Sequence, residues 1–439
     1  MWNDVVELIR QKLRERTQSG ADTPHSKGNA MTTRREFLKQ FGVASLVSLG
    51  AIPPSFLSRA AASEAKNNDG RILVLVQLAG GNDGLNTVVP HGHDEYYKAR
   101  PGIGIPKGAA LTLNDELSLH PAMTGFRELF NEGWLSIVQG VGYPHPDRSH
   151  FRSMDIWQSA QPDKEDTSSG WLGRALDSTV EQHVGKMPAL ALGTEKLPLS
   201  LVATKINVPT VRDVKGYQLQ LGPGHDAALK SHRQTLERLA GHDAAAGSDL
   251  DFLRQTARTA WSSAEKLREI SANYRPAVEY PGHALAHKLR TVAEIISGDL
   301  GTRLFFVNLD GFDTHSQQAN AHQALLTELS SAIAAFVGDL KGHGLADRVL
   351  VATFSEFGRR VAENGSLGTD HGAASQMFVV SPKCKGGVIG AHPSLTDLDD
   401  GDLKFHTDFR SVYATLLDRW LSIPSEPVLG GAFRPVEFV

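Results

Sequence analysis

The residues of this sequence that could do chemistry gather just beyond short apolar runs. In Arg303 to His315 the apolar run 304–309 stops at Asp310-Gly311, and Asp313 and His315 follow one residue apart. Alternate residues of an extended segment point the same way, so both side chains can reach one ion. A carboxylate with an imidazole suits zinc, manganese or iron, and harder ions such as calcium as carboxylates come to predominate. The plain alternative is that Asp313 caps the next helix while His315 lies on the surface.

Three further constellations have the same setting. Gly368-Thr369-Asp370-His371-Gly372 is a glycine-rich loop whose adjacent Asp and His could both face a metal, or form a simple charged turn. Upstream of it, Ser355-Glu356-Phe357-Gly358-Arg359-Arg360 directly follows an apolar run. Glu356 is a candidate ligand, or a carboxylate that orients a ligating His, and the two arginines could hold an anionic group or make a solvated basic turn. Gly80-Gly81-Asn82-Asp83 places a carboxylate past the first apolar run, as a cation ligand or an Asn-Asp-Gly turn. In Arg148-Ser149-His150-Phe151-Arg152, Ser149 at a helix start is a candidate nucleophile activated by a metal or by His150. As an ordinary helix cap it would need no such role. Walker, nucleophile-elbow, zinc-protease and dinucleotide fingerprints do not occur.

The elements that must position these residues alternate between strand and helix. A β-branched-rich run 71–78, ended by Gly80-Gly81, is expected to be a strand buried on both faces. A second short strand is expected over 86–89, then a surface loop over 91–110 rich in Gly, Pro, Tyr and charge. Helical spacing over 121–131 precedes a strand 134–141, and a helix capped by Asp147 or Ser149 runs through Trp157. Strands are expected over 187–192, 199–203, 304–309, 348–354, 376–380 and 388–389, with helices around 319–340 and, capped by Asp408, over 409–421. Residues 224–298 carry three helical stretches, 227–240, 250–270 and 284–296, without a strand between them, which reads as a helical insert. The pattern predicts an α/β fold with a mostly parallel sheet, whose strand ends line a crevice.

Ordinary hydrophobic (41%) and charged (21%) contents over 439 residues fit one large globular domain or two. A formal charge of −4 leaves no footprint for nucleic acid or an anionic membrane. The mature chain shows no run apolar and long enough for a membrane helix. Near the N-terminus, Thr33-Arg34-Arg35-Glu36-Phe37-Leu38-Lys39 precedes a weakly apolar stretch 41–52, Pro53-Pro54 and an Ala60-Ala61-Ala62 cleavage-type site. This resembles a twin-arginine export signal, with Met1 or Met31 as the start. Expected boundaries are an extension and signal over 1–62 and a single domain over 63–439. A lone Cys384 excludes an intramolecular disulfide. That fits a route that exports proteins already folded.

Taken together, Gly80-Gly81-Asn82-Asp83-Gly84, Arg148-Ser149-His150-Phe151, Asp310 to His315, Glu356 to Arg360 and Asp408 to Leu417 resemble a bacterial family. It consists of twin-arginine-exported proteins carrying a domain of unknown function, grouped with the alkaline phosphatase and sulfatase superfamily. The resemblance implies a mixed, mostly parallel sheet flanked by helices and a site with one or two divalent metal ions (zinc, manganese or calcium). Asp83, Asp313 with His315, and Asp370-His371 would be metal ligands, with Glu356 beside them. His392 and His406 are the candidates for a final His ligand. Ser149 would be the nucleophile, with His150, Arg148 and Arg359 as catalytic neighbours. The expected activity is hydrolysis of small anionic phosphate or sulfate esters in the periplasm or cell envelope, after delivery by the twin-arginine translocation machinery. The alternative is a non-catalytic envelope protein that keeps the fold.

Overall fold

The structure, a computed structural model, describes residues 70–439 except 166, 181–186, 195, 207, 212–269 and 271. At its centre is the first apolar run, strand β1 (Ile72–Ala79). Side chains of β1 alternate between two cores: Ile72, Val74, Val76 and Leu78 enter one, Leu73 and Leu75 the other. The run is apolar throughout because both faces are covered.

Among the described residues eight more strands join the sheet: β2 (Leu135–Gly142), β3 (Ala189–Leu192), β4 (Thr210–Val211), β5 (Leu304–Asp310), β6 (Val349–Phe354), β7 (Ser375–Val380), β8 (Gly387–Ile389) and β9 (Thr407–Asp408). Their order is β8-β2-β7-β6-β1-β5-β3-β4, and β9 also pairs with β2. Only β7 runs against its neighbours, so the sheet is mixed and mostly parallel. Helices α1 (Thr124–Asn131), α4 (Ala284–Ser297) and α5 (Gln318–Gly342) cover one face through Phe126, Leu289 and Phe336. On the other face, α2 (His150–Ser159), α3 (Trp171–Ser178) and α6 (Phe409–Ala414) contribute Trp157, Trp171 and Tyr413. Each of these large side chains contributes roughly 1.5–3 kcal/mol by leaving water.

Because β1, β2, β5 and β6 run the same way, their carboxyl ends share one edge. There Ala79 lies opposite Asp310, and Gln77 opposite Phe354. All the chemistry-bearing loops leave the sheet at this edge, where open α/β sheets form their crevices.

Some expected elements take other forms. Residues 199–203 make a single 3-10 turn, Leu199–Leu201, rather than a strand. Its backbone is satisfied locally, Leu201 N–H to Pro198 and Val202 N–H to Leu199, and Val202 C=O accepts from Gly170, so no ladder partner is needed. The strand expected over 86–89 is halved: Asp83 caps a helical turn, Gly84–Thr87, and only Val88–Val89 pairs as a strand. The loop 91–110 is not all surface, since it contains the helix Asp94–Ala99 and buries Tyr96 and Arg100. Within 224–298, the stretches 227–240 and 250–269 lie outside the described residues. The third stretch is α4, whose Leu285, Leu289 and Val292 belong to the central core. The segment 1–62, with its paired arginines, also lies outside. No helix among the described residues is long and apolar enough to cross a membrane.

Candidate metal centre

Three imidazoles converge on Asp313. His150 opens α2, and its Nε2 lies 3.4 Å from Asp313 Oδ2. His371 Nε2 is 3.2 Å and His315 Nε2 3.1 Å from Asp313 Oδ1, and these two nitrogens are 2.9 Å from each other. His150, Asp313 and His371 each offer a ligand atom within 4.8 Å of the other two. The loops can approach this closely because glycines line the contacts. A Cβ on Gly80 would stand 2.3 Å from the Asp313 nitrogen, and one on Gly368 2.2 Å from the His315 carbonyl carbon.

The far side of each ring sets its tautomer. His371 Nδ1 is 2.8 Å from the Arg148 carbonyl oxygen, which can only accept, so Nδ1 carries a proton. His150 Nδ1 is 3.0 Å from Glu356 Oε1 and donates likewise. His315 Nδ1 faces Asp370 Oδ1 at 3.4 Å. With one proton per ring, His150 and His371 both turn a lone pair toward the same carboxylate. That arrangement calls for positive charge, either a second proton on the rings or a metal cation. Burial pushes His371 below the ordinary imidazole value, against the extra proton. Two or three imidazoles with one carboxylate are a donor set that fits a borderline divalent ion.

Asp313 is held ionised. Burial alone would raise its carboxyl, but the hydrogen bond and charge of Arg359 outweigh this and bring it to about 2. Arg359 itself is buried and anchors the whole edge. It donates to Asp313 Oδ1 (2.7 Å), Gly81 O (2.7 Å), Thr369 O (2.9 Å), Phe312 O (3.0 Å) and Gly80 O. Glu356 is buried too, and its Oε1 also accepts the Gly80 N–H at 2.8 Å. Glu356 thus contacts the His150 ring at Nδ1, while Nε2 of the same ring faces Asp313. Asp370 is half exposed, and its carboxyl is lowered chiefly by the Asn364 amide at 3.0 Å.

Other expected site residues lie elsewhere. Asp83 is fully buried and spends its oxygens on Arg100 Nη1 (2.6 Å), Gln318 Nε2 (2.5 Å) and the Asn86 N–H (3.4 Å). It is an ion-pair partner rather than part of the imidazole cluster, because Arg100 reaches it first. Arg148 is tied to Asp402 (2.7 Å) and Asp400 (2.9 Å), so neither it nor Arg359 offers a free guanidinium to an anion. His406 Nε2 bonds the Ala391 carbonyl and His392 stacks on His93, whereas His150, assigned from sequence to catalysis, is one of the three residues grouped closely enough to hold an ion. Ser149 is exposed at the α2 N-cap, and its hydroxyl makes no cap bond; Asp147 accepts the Ser149 N–H instead. Arg100, Asn364 and Gln318, which hold the loops, went unread in the sequence. Of these only Asn364, followed by Gly365, carried a turn signal.

Fold and cluster together define a mixed α/β protein with a histidine–aspartate cluster that could hold a metal ion at the carboxyl edge of its sheet. The chain belongs to the family described as "Protein of unknown function (DUF1501)", whose model matches residues 71–422. No curated protein matches it in sequence. Among solved structures it is similar to the PsFucS1 sulfatase from Pseudoalteromonas sp., at 13% identity and a TM-score of 0.36 over 88% of this chain and 76% of that one. It is also similar to the zinc complex of the C-terminal periplasmic domain of EcEptC from Escherichia coli, at 12% identity and a TM-score of 0.34 over 73% and 75%. A protein in the alkaline phosphatase superfamily from Vibrio parahaemolyticus aligns at 9% identity and a TM-score of 0.29 over 77% and 71%. At such scores the likenesses carry no argument about chemistry.

Proposed function

We propose that this chain is an exported metal-dependent hydrolase of phosphate or sulfate esters. The observation that carries the reading is the convergence of His150, His315 and His371 on Asp313, with Ser149, the residue before His150, exposed and its hydroxyl making no cap bond. His150, Asp313 and His371, with His315, would hold one divalent ion such as zinc or manganese. When bound, such an ion supplies Lewis acidity and lowers the pKa of a nearby hydroxyl or water. The chain's own groups do the rest. Glu356 and the Arg148 carbonyl keep two Nε2 lone pairs turned inward, and Arg359 keeps Asp313 ionised. Ser149 is the nucleophile, presented at the positive end of α2, whose first N–H groups favour an anionic ester. That helix end takes the role first expected of Arg148 and Arg359, which are already paired. Phe151, 88% exposed and next to His150, suits an ester with an aryl group. Export rests on the paired arginines Arg34-Arg35 and the partner they imply, the twin-arginine translocation machinery.

The test is protein purified from a twin-arginine-competent host, assayed for bound metal and for turnover of an aryl phosphate and an aryl sulfate. The expected result is about one ion per chain and turnover that Ser149→Ala abolishes without loss of metal. Folded, metal-free protein with no turnover would sink the proposal. The pairing of Arg148, Arg359 and Arg360 favours one second reading, a non-catalytic envelope protein with a structural ion. Bound metal with no turnover of either ester would select it.

A further inference from the structure

Gln318, the first residue of α5, is fully buried, and its amide joins three loops. Nε2 donates to Asp83 Oδ2 at 2.5 Å. Oε1 accepts from Thr314 Oγ1 at 3.1 Å and from Thr369 Oγ1 at 2.8 Å. Thr314 stands between Asp313 and His315, and Thr369 immediately precedes Asp370-His371. The backbone reinforces the junction: Thr369 N–H donates to Thr314 O (3.3 Å) and Gln318 N–H to Leu367 O (2.9 Å).

The amide can face only one way. Asp83, paired with Arg100, offers acceptor oxygens alone, so the NH₂ end must turn toward it and the carbonyl end toward the two hydroxyls. We infer that Gln318 is a positioning residue for the candidate metal centre, a clamp that sets the separation of the loops carrying Asp313 and His315 and Asp370 and His371, with Asp83 as the group that orients it. The inference rests on reading the histidine–aspartate cluster as a metal centre. It also gives the buried Asp83 ion pair a part in that centre without making Asp83 a ligand. A neutral amide suits the task, because a carboxylate at position 318 would repel Asp83 while a hydrocarbon would leave Asp83 and both hydroxyls short of a partner.

The test uses the full chain and Zn²⁺ alone, with affinity read by competition against a chelator and ring geometry by histidine NMR. Gln318→Ala should weaken Zn²⁺ binding about 10–100-fold, the usual effect of losing a group that orients ligands. Thr314→Val and Thr369→Val, which keep the side-chain shape, should each weaken it by about 3–10-fold, the worth of one hydrogen bond. Added to Gln318→Ala, the two Val substitutions should do little more, because they act through the same amide. A folded Gln318→Ala protein with wild-type Zn²⁺ affinity, or fully additive effects, would overturn the clamp. If Gln318→Ala does not fold, the single Val variants decide, and wild-type affinity in both overturns it. Wild-type protein that binds no Zn²⁺ removes the metal centre and the clamp together, whereas binding that ignores these variants removes the clamp alone.

Discussion

Asp83 and Asp313 occupy matching places, each a few residues past a central strand, and β1 and β5 end side by side. Their surroundings are opposite. Asp83 is fully buried, and Arg100, Gln318 and Asn86 take up its oxygens. Asp313 is half exposed and faces imidazoles that turn lone pairs toward it. Each acid meets an arginine of the protein's own, but Asp83 is sealed off with its oxygens taken up, while Asp313, held by Arg359 on one side, keeps another side open to the imidazoles. A carboxylate at a strand end is therefore only a position; whether its internal partners close it off or leave a side open to other donors decides if it is structure or site.

The largest effect should come from opening the closed side. Asp83→Ala leaves Arg100 buried and unpaired and should cost about 3–5 kcal/mol in denaturant unfolding. A loss below about 1 kcal/mol would put Asp83 on the same footing as a surface acid and erase the contrast. On the open side, His150→Ala should cost at least about 100-fold in Zn²⁺ affinity while leaving apo-protein stability within about 1 kcal/mol. Unchanged Zn²⁺ affinity would take His150 out of the ligand set.

A third measurement separates the regions by pH. Beside Asp83, burial pushes His120 and His322 down to about 4, so they stay neutral in the folded chain. Between that value and the ordinary imidazole value of 6.5 the unfolded chain binds more protons, so stability rises with pH across this window and levels off above it. The two together should lower stability by a few kcal/mol, up to about 3 kcal/mol each, as a chelated sample is acidified through the window. Asp83 adds its own loss only at lower pH. Burial alone would raise its carboxyl, but Arg100 holds it below the ordinary 3.8. His322→Gln should flatten the slope; an unchanged slope would mean that His322 is not held neutral. The smallest effect belongs to Ser149, since its hydroxyl caps nothing. Ser149→Ala should change the unfolding free energy by no more than about 0.5 kcal/mol, and a cost of about 1–2 kcal/mol, the worth of a cap, would return Ser149 to a capping role.

Much of this is legible in the sequence alone. The β1, β5 and β6 runs, the long α5 helix and the carboxyl-edge address of Asp313, His315 and His371 follow from periodicity and from where apolar runs stop. Elements whose identity depends on partners are not legible in this way. Residues 199–203 are apolar enough for a strand, yet their backbone is satisfied by a local turn and by Gly170. Arg100 sits in a stretch with the composition of a surface loop, and only the fold buries it against Asp83.

By itself the sequence determined the kinds of residue available and the edge of the sheet where they collect, because strand and helix periods are local properties of the chain. Only the tertiary structure decided how they divide. His150 meets Glu356 across 206 positions, Gln318 meets Asp83 across 235, and Arg359 meets Gly80 across 279. Hydrogen-bond and ion-pair choices over such separations depend on which strands lie side by side, and no local pattern encodes that. The strand ends were readable as a place for chemistry; which acid is sealed by Arg100 and which faces three imidazoles is a consequence of the fold.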